Sequence, residues 1–287
     1  MPFNAPAQYW KQWARADMLR PQANRTALGM WGGALIHNEE AAKYTDWSHD
    51  RPLQPGAPLR ARFVHGYYAA VSYTDAMFGR VLDALQASAH ANSTIVVCTA
   101  DHGMHLGDHQ QFGKWTVYEQ ATRTHLIFAG AAVAKAVRNS AVASPVELLD
   151  IYPTLSDLAG VTGAVVPPLD GVSLVPMLAA PRGPAVRSVA VGQFPADCCR
   201  NIVSYMLRAA RFRYVAHLEG RGVGFERSEV HSAKILHDEL YDMLEDPAET
   251  VSLVVSRPDV LARMRHIFAM YRSTTWRGVW NANATGL

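Results

Sequence analysis

The sequence feature that most constrains this chain is an apolar, strand-like run that ends directly in metal-ligating side chains. Residues 94–99 are β-branched or apolar without polar alternation, a pattern typical of a central parallel strand covered on both faces. Asp101 and His102 follow almost at once. Because ligands bind at the carboxyl ends of strands in open α/β sheets, this position predicts a functional site.

Residues 101–109 form the pattern Asp-His-Gly-x-His-x-Gly-Asp-His. Carboxylate oxygens suit Ca²⁺ or Mg²⁺, whereas imidazole nitrogens also suit zinc. Asp101 and His102 can share one ion only where the backbone leaves the extended state, and Gly103 permits that departure. The structural alternative is that Asp101 caps a turn and the histidines are surface residues, but the density of ligand side chains favours a metal site.

Lys114 ends this stretch. A lone lysine is by default a solvated surface residue. If Lys114 points back toward the metal, its ammonium group suits an oxygen of a sulfate or phosphate.

The residues around this motif predict helices and strands that alternate. A 3.6-residue apolar period between 60 and 89 predicts a long amphipathic helix, and a run at 124–129 can pair beside the first strand. Residues 146–159 predict a helix that Pro153 should kink or restart. A short helix is expected at 173–178 and a strand at 188–194. Residues 1–59 show little periodicity apart from a short helix at 7–18, so we expect a lid, a binding loop or a piece of something larger.

The C-terminal third has a different pattern. Residues 205–208 and 212–218 predict an antiparallel hairpin, with a third strand at 239–241. A closing helix begins at Arg257-Pro258. We therefore expect two units, a partial catalytic α/β domain at 1–195 and an antiparallel-sheet subdomain at 196–287.

Charge and composition exclude several classes of partner. The formal net charge is only +2 over 287 residues, and the basic residues are scattered, so no nucleic-acid footprint is predicted. No apolar run approaches the roughly 20 residues that span a bilayer. The first residues lack secretory signal features, so the sequence as written predicts a cytoplasmic chain, with a periplasmic or secreted location if an N-terminal part is missing.

The three cysteines are too few for a disulfide framework. Cys98 lies in the predicted strand and is expected to be an inert core residue. The pair Cys198-Cys199 could bind a soft metal, but two adjacent thiols without a second pair nearby favour the unliganded interpretation.

Several blocks of sequence, in order along the chain, carry a family resemblance. The most specific block runs from Thr99 through the Asp-His-Gly motif to Lys114. The other blocks are 68–75 with Gly79-Arg80, 150–155 with 158–160, 169–174, and 239–242 with 245–249. Together they resemble the sulfatases of the alkaline-phosphatase-like superfamily, and most closely the iduronate-2-sulfatase-like and choline-sulfatase-like branch.

The resemblance implies a fold and a set of roles. The implied fold is α/β, with an alkaline-phosphatase-like parallel or mixed sheet flanked by helices, followed by a small C-terminal antiparallel sheet with a helix. Asp101 and His102 correspond to two ligands of a divalent cation, usually calcium, and Lys114 to a lysine that contacts the sulfate. His105 and His109 are further candidates, either behind the ligands or facing the substrate. The implied substrate is a sulfated small molecule or saccharide.

One departure from the family pattern concerns the nucleophile. The family uses a cysteine in C-x-P-x-R that is oxidised to formylglycine, and an Asp-Asp pair supplies further metal ligands. Neither motif occurs in these 287 residues. We therefore expect a C-terminal portion of a sulfatase, without the leading strands of its sheet, inactive alone and able to dock on a separate N-terminal sulfatase fragment.

Two other functions stay open. A phosphodiesterase or phosphonate hydrolase of the same superfamily would share the Asp-His pair, and the nucleophile would distinguish it. A non-catalytic remnant that binds sulfated ligands would also fit.

Overall fold

A computed structural model describes residues 3–13, 25–34, 58–131, 133, 137–161, 169–197, 202–220, 230 and 232–273. Its helices are α1 (Ala7–Lys11), α2 (Pro58–Gln86), α3 (Glu119–Thr122), α4 (Ile151–Leu158), α5 (Val175–Ala179) and α6 (Pro258–Ser273). Its strands are β1 (Ile95–Thr99), β2 (His105–Leu106), β3 (Phe112–Gly113), β4 (Leu126–Gly130), β5 (Ala190–Asp197), β6 (Ile202–Arg208), β7 (Phe212–Glu219) and β8 (Ile235–Asp242). The mixed α/β class that the sequence predicts is confirmed.

The strand that leads into the Asp-His motif differs from its expected setting. β1 pairs antiparallel with β4, from Ile95 opposite Gly130 to Thr99 opposite Leu126, and within the described residues these two strands form a sheet of their own. The strand at 124–129 is thus confirmed as a neighbour, but the expected parallel pairing of β1 is not found there. β1 is half-buried rather than covered on both faces, because an uninterrupted apolar run records neither strand direction nor what lies on each face.

The long helix α2 is confirmed and supports the loop that carries the motif. Phe63 packs edge-to-face on Phe112 of β3, with ring centroids 5.3 Å apart. The N-terminal segment packs on the same end of α2, where Phe3 lies 5.0 Å from Phe63 and His65 is hydrogen-bonded to the Trp10 carbonyl at 2.8 Å. Much of the rest of the helix is exposed, including Val81.

The helix at 146–159 begins later than its apolar pattern predicts. A 3₁₀ turn (Leu148–Asp150) precedes α4, so Pro153 lies in the first turn of α4. A proline there causes no kink, because its missing N–H has no partner in the helix anyway. Buried Asp150 accepts hydrogen bonds from the Glu147 and Val172 amides at 2.9 and 2.8 Å.

The C-terminal unit is a four-stranded antiparallel sheet, in the order β5-β6-β7-β8, with α6 packed on one face. The hairpin, the strand around 239–241 and the closing helix are all confirmed. The apolar face predicted for α6 is the buried one, with Met264 and Phe268 almost inaccessible. β5 covers the strand expected at 188–194 and begins at Ala190, so the sheet includes residues on both sides of 195/196. The division into two domains stays a prediction.

Three sequence expectations remain to be placed. The helix expected at 7–18 is observed over Ala7–Lys11, and its last residues lie outside the described part. Cys98 is a free thiol that is only half-buried, with its Sγ 3.4 Å from His125 Nε2, so the expected core position is wrong. Cys198 and Cys199 lie outside the described residues. None of the helices in the described ranges is long and apolar enough to cross a bilayer.

Candidate metal and anion site

Asp101 and His102 lie together just beyond β1, as the sequence predicts. His102 Nε2 is 3.4 Å from Asp101 Oδ2, and the Asp101 side chain is 86% exposed whereas that of His102 is 31% exposed. His102 Nδ1 is 2.7 Å from the Gly103 carbonyl oxygen. Since the carbonyl can only accept, Nδ1 donates this hydrogen bond, and Nε2 is the ring nitrogen on the side of the carboxylate.

The ligand types of this pair suit a hard divalent cation, but two side chains are too few to complete its coordination. One carboxylate oxygen and one imidazole nitrogen face the same space, as two ligands of one ion must. Among the described residues no group of three or more His, Cys, Asp or Glu side chains converges to hold a metal. Calcium takes six to eight oxygen ligands, so this pair would supply a minority of its coordination.

Gly103 is required by the packing of the turn. Its N–H donates to the Ala121 carbonyl at 2.8 Å. A Cβ built on Gly103 would lie 2.7 Å from the Arg123 carbonyl oxygen and closer still to that of Gln120. The motif turn therefore rests directly on the backbone of α3, with no space for a side chain between them.

A tight hairpin lies between the Asp-His pair and Lys114. β2 and β3 pair antiparallel, with His105 opposite Gly113 and Leu106 opposite Phe112. Extending this register by one residue places Lys114 across from Met104, two positions beyond His102. The reversal uses left-handed backbone at Gly107 (φ 112°) and His109 (φ 52°). That Lys114 faces the Asp-His pair stays a prediction.

His105 and His109 lie inside the protein. Both are inaccessible to solvent, and their ring centroids are 6.2 Å apart. Burial lowers the pKa of His105 to about 3, helped by the neighbouring His109, and burial also lowers the pKa of His109. His105 Nε2 is hydrogen-bonded with Thr116 Oγ1 at 2.7 Å. In this structure both rings are neutral and shielded, with His105 tied to the loop that follows Lys114.

The loop after Lys114 is attached to the C-terminal sheet through a buried carboxylate, Glu239. Tyr118 donates its hydroxyl hydrogen bond to Glu239 Oε2 at 3.0 Å, and Tyr241 donates at 2.7 Å. His217 Nε2 donates at 2.9 Å, and the Trp31 amide donates at 2.8 Å. Burial acts to raise the Glu239 pKa, but these donors outweigh it and hold the pKa below its ordinary value.

A second buried group holds α3. Arg213 Nε lies 2.9 Å from Glu249 Oε1, and the Glu119 amide donates to Glu249 Oε2 at 2.9 Å. Arg213 also forms an ion pair with Glu119. Glu249 is fully buried with fewer donors than Glu239, so burial raises its pKa to about 7. The Glu119 pKa is instead lowered, because Arg213 and Arg208 outweigh its burial.

Sequence reasoning had not assigned roles to these buried residues. Glu239 and Glu249 stand within blocks that resemble the sulfatases, but each has a partner far away in the sequence. Tyr118 lies 121 residues from Glu239, and the Glu119 amide lies 130 residues from Glu249. No local pattern marks these two glutamates, because Glu239 directly follows Asp238 and Glu249 lies close to Glu245, Asp246 and Thr250. Glutamates are almost never fully buried unless they are paired, and the pairing partners are visible only in the fold.

Comparisons with known proteins agree with the resemblance. The model of the family described as Sulfatase matches residues 1–161. Arylsulfatase K of Gallus gallus is 32% identical over 207 residues, which are 70% of this chain and 35% of the relative. The chain therefore spans about a third of the length of this curated relative.

Solved structures share the fold. A sulfatase in complex with its substrate D-glucosamine-2-N,6-O-disulfate superposes with a TM-score of 0.56 at 26% identity, over 79% of this chain and 43% of that one. A phosphonate monoester hydrolase from Silicibacter pomeroyi superposes with a TM-score of 0.67 at 23% identity, over 100% of this chain and 55% of that one. The latter likeness concerns the fold alone.

We predict that Gly103→Ala destabilises the protein by about 1–3 kcal/mol, because the added methyl group must push the motif turn away from α3. Gly79→Ala is the matched control, since no atom lies within 4 Å of a Cβ there and alanine is the better helix former. The measurement is urea unfolding followed by circular dichroism. Equal unfolding midpoints for the two variants would contradict the close packing.

We also predict a pH dependence that originates at Glu249. Its pKa is near 7 when folded and about 4.5 when unfolded, so the folded state binds the extra proton. The stability it contributes is complete below pH 4.5 and is lost as the pH rises toward 7. Glu249→Gln, which mimics the protonated acid, should therefore gain stability relative to wild type over that range. The measurement is the free energy of unfolding of wild type and of Glu249→Gln at pH 4.5, 5.5, 6.5 and 7.5. A constant difference between the two proteins over this range would contradict the prediction.

Proposed function

The chain belongs to the sulfatase family, and we propose that it supplies the calcium-binding and sulfate-binding part of a sulfate-ester hydrolase site. The observation that carries the proposal is the Asp101–His102 pair just beyond β1, followed by the β2–β3 hairpin that ends directly before Lys114. These are the residue types that the resemblance assigns to the cation and the sulfate.

In this proposal Asp101 and His102 are protein ligands of the divalent cation. A bound cation would stabilise negative charge on the nucleophile and on the sulfate oxygens. Asp101 supplies formal charge for a hard ion, and His102, with its proton fixed on Nδ1 by the Gly103 carbonyl, supplies a neutral nitrogen. Calcium is proposed from the family resemblance.

Lys114 is proposed to contact the sulfate group. Its ammonium would neutralise charge that develops on the transferred group, which is most effective where the donor is held in place before the reaction. The hydrogen bond between His105 and Thr116, two residues after the lysine, supports such a fixed position. His105 and His109 are proposed to support the loop rather than to face the substrate, because both are buried.

The substrate class that fits best is a sulfated saccharide. One structural neighbour is a sulfatase in complex with a disulfated glucosamine, and it is 26% identical to this chain. Carrying that substrate class to this chain is part of the proposal.

Complete catalysis is proposed to need residues beyond these 287. The sequence holds neither C-x-P-x-R nor an Asp-Asp pair, so the nucleophile and the remaining cation ligands would come from other polypeptide, in the same protein or in a separate fragment. The phosphonate hydrolase alternative gains no support beyond the fold, because that likeness is 23% identical.

The binding part of the proposal is tested by calorimetric titration of the protein with Ca²⁺ and then with glucosamine 6-sulfate. We expect weak calcium binding, with a Kd of about 1 mM, since few ligands are present. Asp101→Asn should weaken calcium binding about 10-fold or more, because it removes one of two ligands and its charge. Lys114→Met should leave calcium binding unchanged and should weaken the binding of glucosamine 6-sulfate.

Asp83→Asn provides the control for this titration. Asp83 is an exposed carboxylate on α2, so its neutralisation raises the net charge of the protein by the same one unit without changing the pair. If Asp83→Asn and Asp101→Asn weaken calcium binding alike, the ion binds diffusely to surface charge and the proposed site is wrong.

The catalytic part predicts that the 287-residue protein with Ca²⁺ does not turn over an aryl sulfate. Adding an N-terminal sulfatase fragment that carries formylglycine and ends before its Asp-His-Gly strand should restore turnover. The same fragment with its nucleophile cysteine replaced by alanine is the control. Metal-dependent turnover by the chain alone would overturn this division of the site.

A further inference from the structure

We propose that Arg213, on strand β7 of the C-terminal sheet, is a positioning residue of the candidate site. Arg213 holds the segment 117–122, which supports both the turn carrying Asp101 and His102 and the loop carrying Lys114. The proposal rests on the proposed function, because it concerns the geometry of the same three side chains.

The first step is the hydrogen bonding of Arg213 to the segment 117–122. Its Nη1 donates to the Val117 carbonyl at 2.5 Å, and both terminal nitrogens lie 3.2 Å from Thr122 Oγ1. Its Nη2 also pairs with Glu119. One guanidinium group therefore binds a residue two positions before α3 and both end residues of α3, with only 1% of its side chain exposed.

The second step is the contact of α3 with the motif turn. The Gly103 amide donates to Ala121, and the Gly103 backbone lies against the carbonyl groups of Gln120 and Arg123. Because Gly103 follows His102 directly and its carbonyl fixes the His102 ring, a shift of α3 moves the metal-ligand pair. No side chain stands between the two backbones to absorb such a shift.

The third step leads from the same segment to Lys114. The Thr116 amide donates to the Lys114 carbonyl at 2.8 Å, and the Tyr118 amide donates to Thr116 Oγ1 at 3.3 Å. Tyr118 is in turn fixed by Glu239. The lysine thus begins a short hydrogen-bonded loop whose far end, at Val117, is bound by Arg213.

The chemistry of this position favours arginine. The planar guanidinium directs its N–H groups in fixed directions and can bind a carbonyl, a hydroxyl and two carboxylates at once, whereas lysine offers one compact ammonium. Burial also adds to the geometric demand, since an uncompensated buried charge is strongly destabilising. Glu119 and Glu249 compensate the charge of Arg213 on two sides.

The test compares wild type with Arg213→Lys, which keeps the positive charge but loses the planar guanidinium group and its fixed N–H directions. We expect the Kd for Ca²⁺ to rise about 10-fold, as is common for residues that orient metal ligands. We expect amide hydrogen exchange at Gly103 to accelerate about 10-fold relative to amides in the middle of β6. Thr122→Val removes one acceptor of the same guanidinium and should change both quantities in the same direction by a smaller factor.

Two controls separate positioning from general destabilisation. Arg265→Lys alters another arginine–carboxylate pair, with Asp238, that is remote from α3. Val260→Ala lowers stability through the core under α6, where Val260 is 2% exposed. Both should leave the calcium Kd and Gly103 exchange within about twofold of wild type, measured at a temperature where every variant is folded.

The outcomes are decisive in each direction. Unchanged Gly103 exchange in Arg213→Lys, or an equal loss of calcium affinity in Val260→Ala, would overturn the positioning role. If wild type binds no calcium, the proposed function fails, yet the Gly103 exchange of Arg213→Lys and Thr122→Val still decides whether Arg213 positions the turn.

Discussion

The structure depends on the pairing of charges that are buried between the segment 115–122, which follows Lys114, and the C-terminal sheet. Arg213, Glu239 and Glu249 are almost or fully inaccessible, and each such charge costs several kcal/mol to remove from water unless partners replace the solvent. Some of those partners lie outside the sheet, among them Tyr118 and Glu119. The segment after Lys114 and the sheet must therefore fold together, because neither can satisfy these groups alone.

The site combines a buried frame with exposed ligand atoms. The atoms that hold α3 lie in the interior, whereas the Asp101 carboxylate is 86% exposed. Backbone contacts at Gly103 connect the two regions, so buried residues support the turn that carries the proposed ligands. Such an arrangement gives precise placement to groups that must remain accessible to an ion and a substrate.

The sequence predicted features that depend on local pattern. The 3.6-residue period identified α2 and α6, alternation identified the β6–β7 hairpin, and the motif spacing identified the candidate ligands. Features that depend on distant partners could not be read in this way. The direction of β1 is set by its pairing with β4, and Pro153 was misjudged because the helix begins at Ile151. The burial of His105 follows from the hairpin, which its neighbours in sequence do not reveal.

The contrast between Glu239 and Glu249 shows how the same side chain acquires different chemistry from its donors. Glu239 receives hydrogen bonds from four different residues and is held ionised, with a lowered pKa. Glu249 is equally buried, but its main partners are the Arg213 guanidinium and one backbone amide. Burial therefore raises its pKa to about 7. The carboxyl group of Glu249, which helps to hold α3, therefore changes its protonation near neutral pH. The carboxylate of Glu239, which holds Tyr118, stays ionised there.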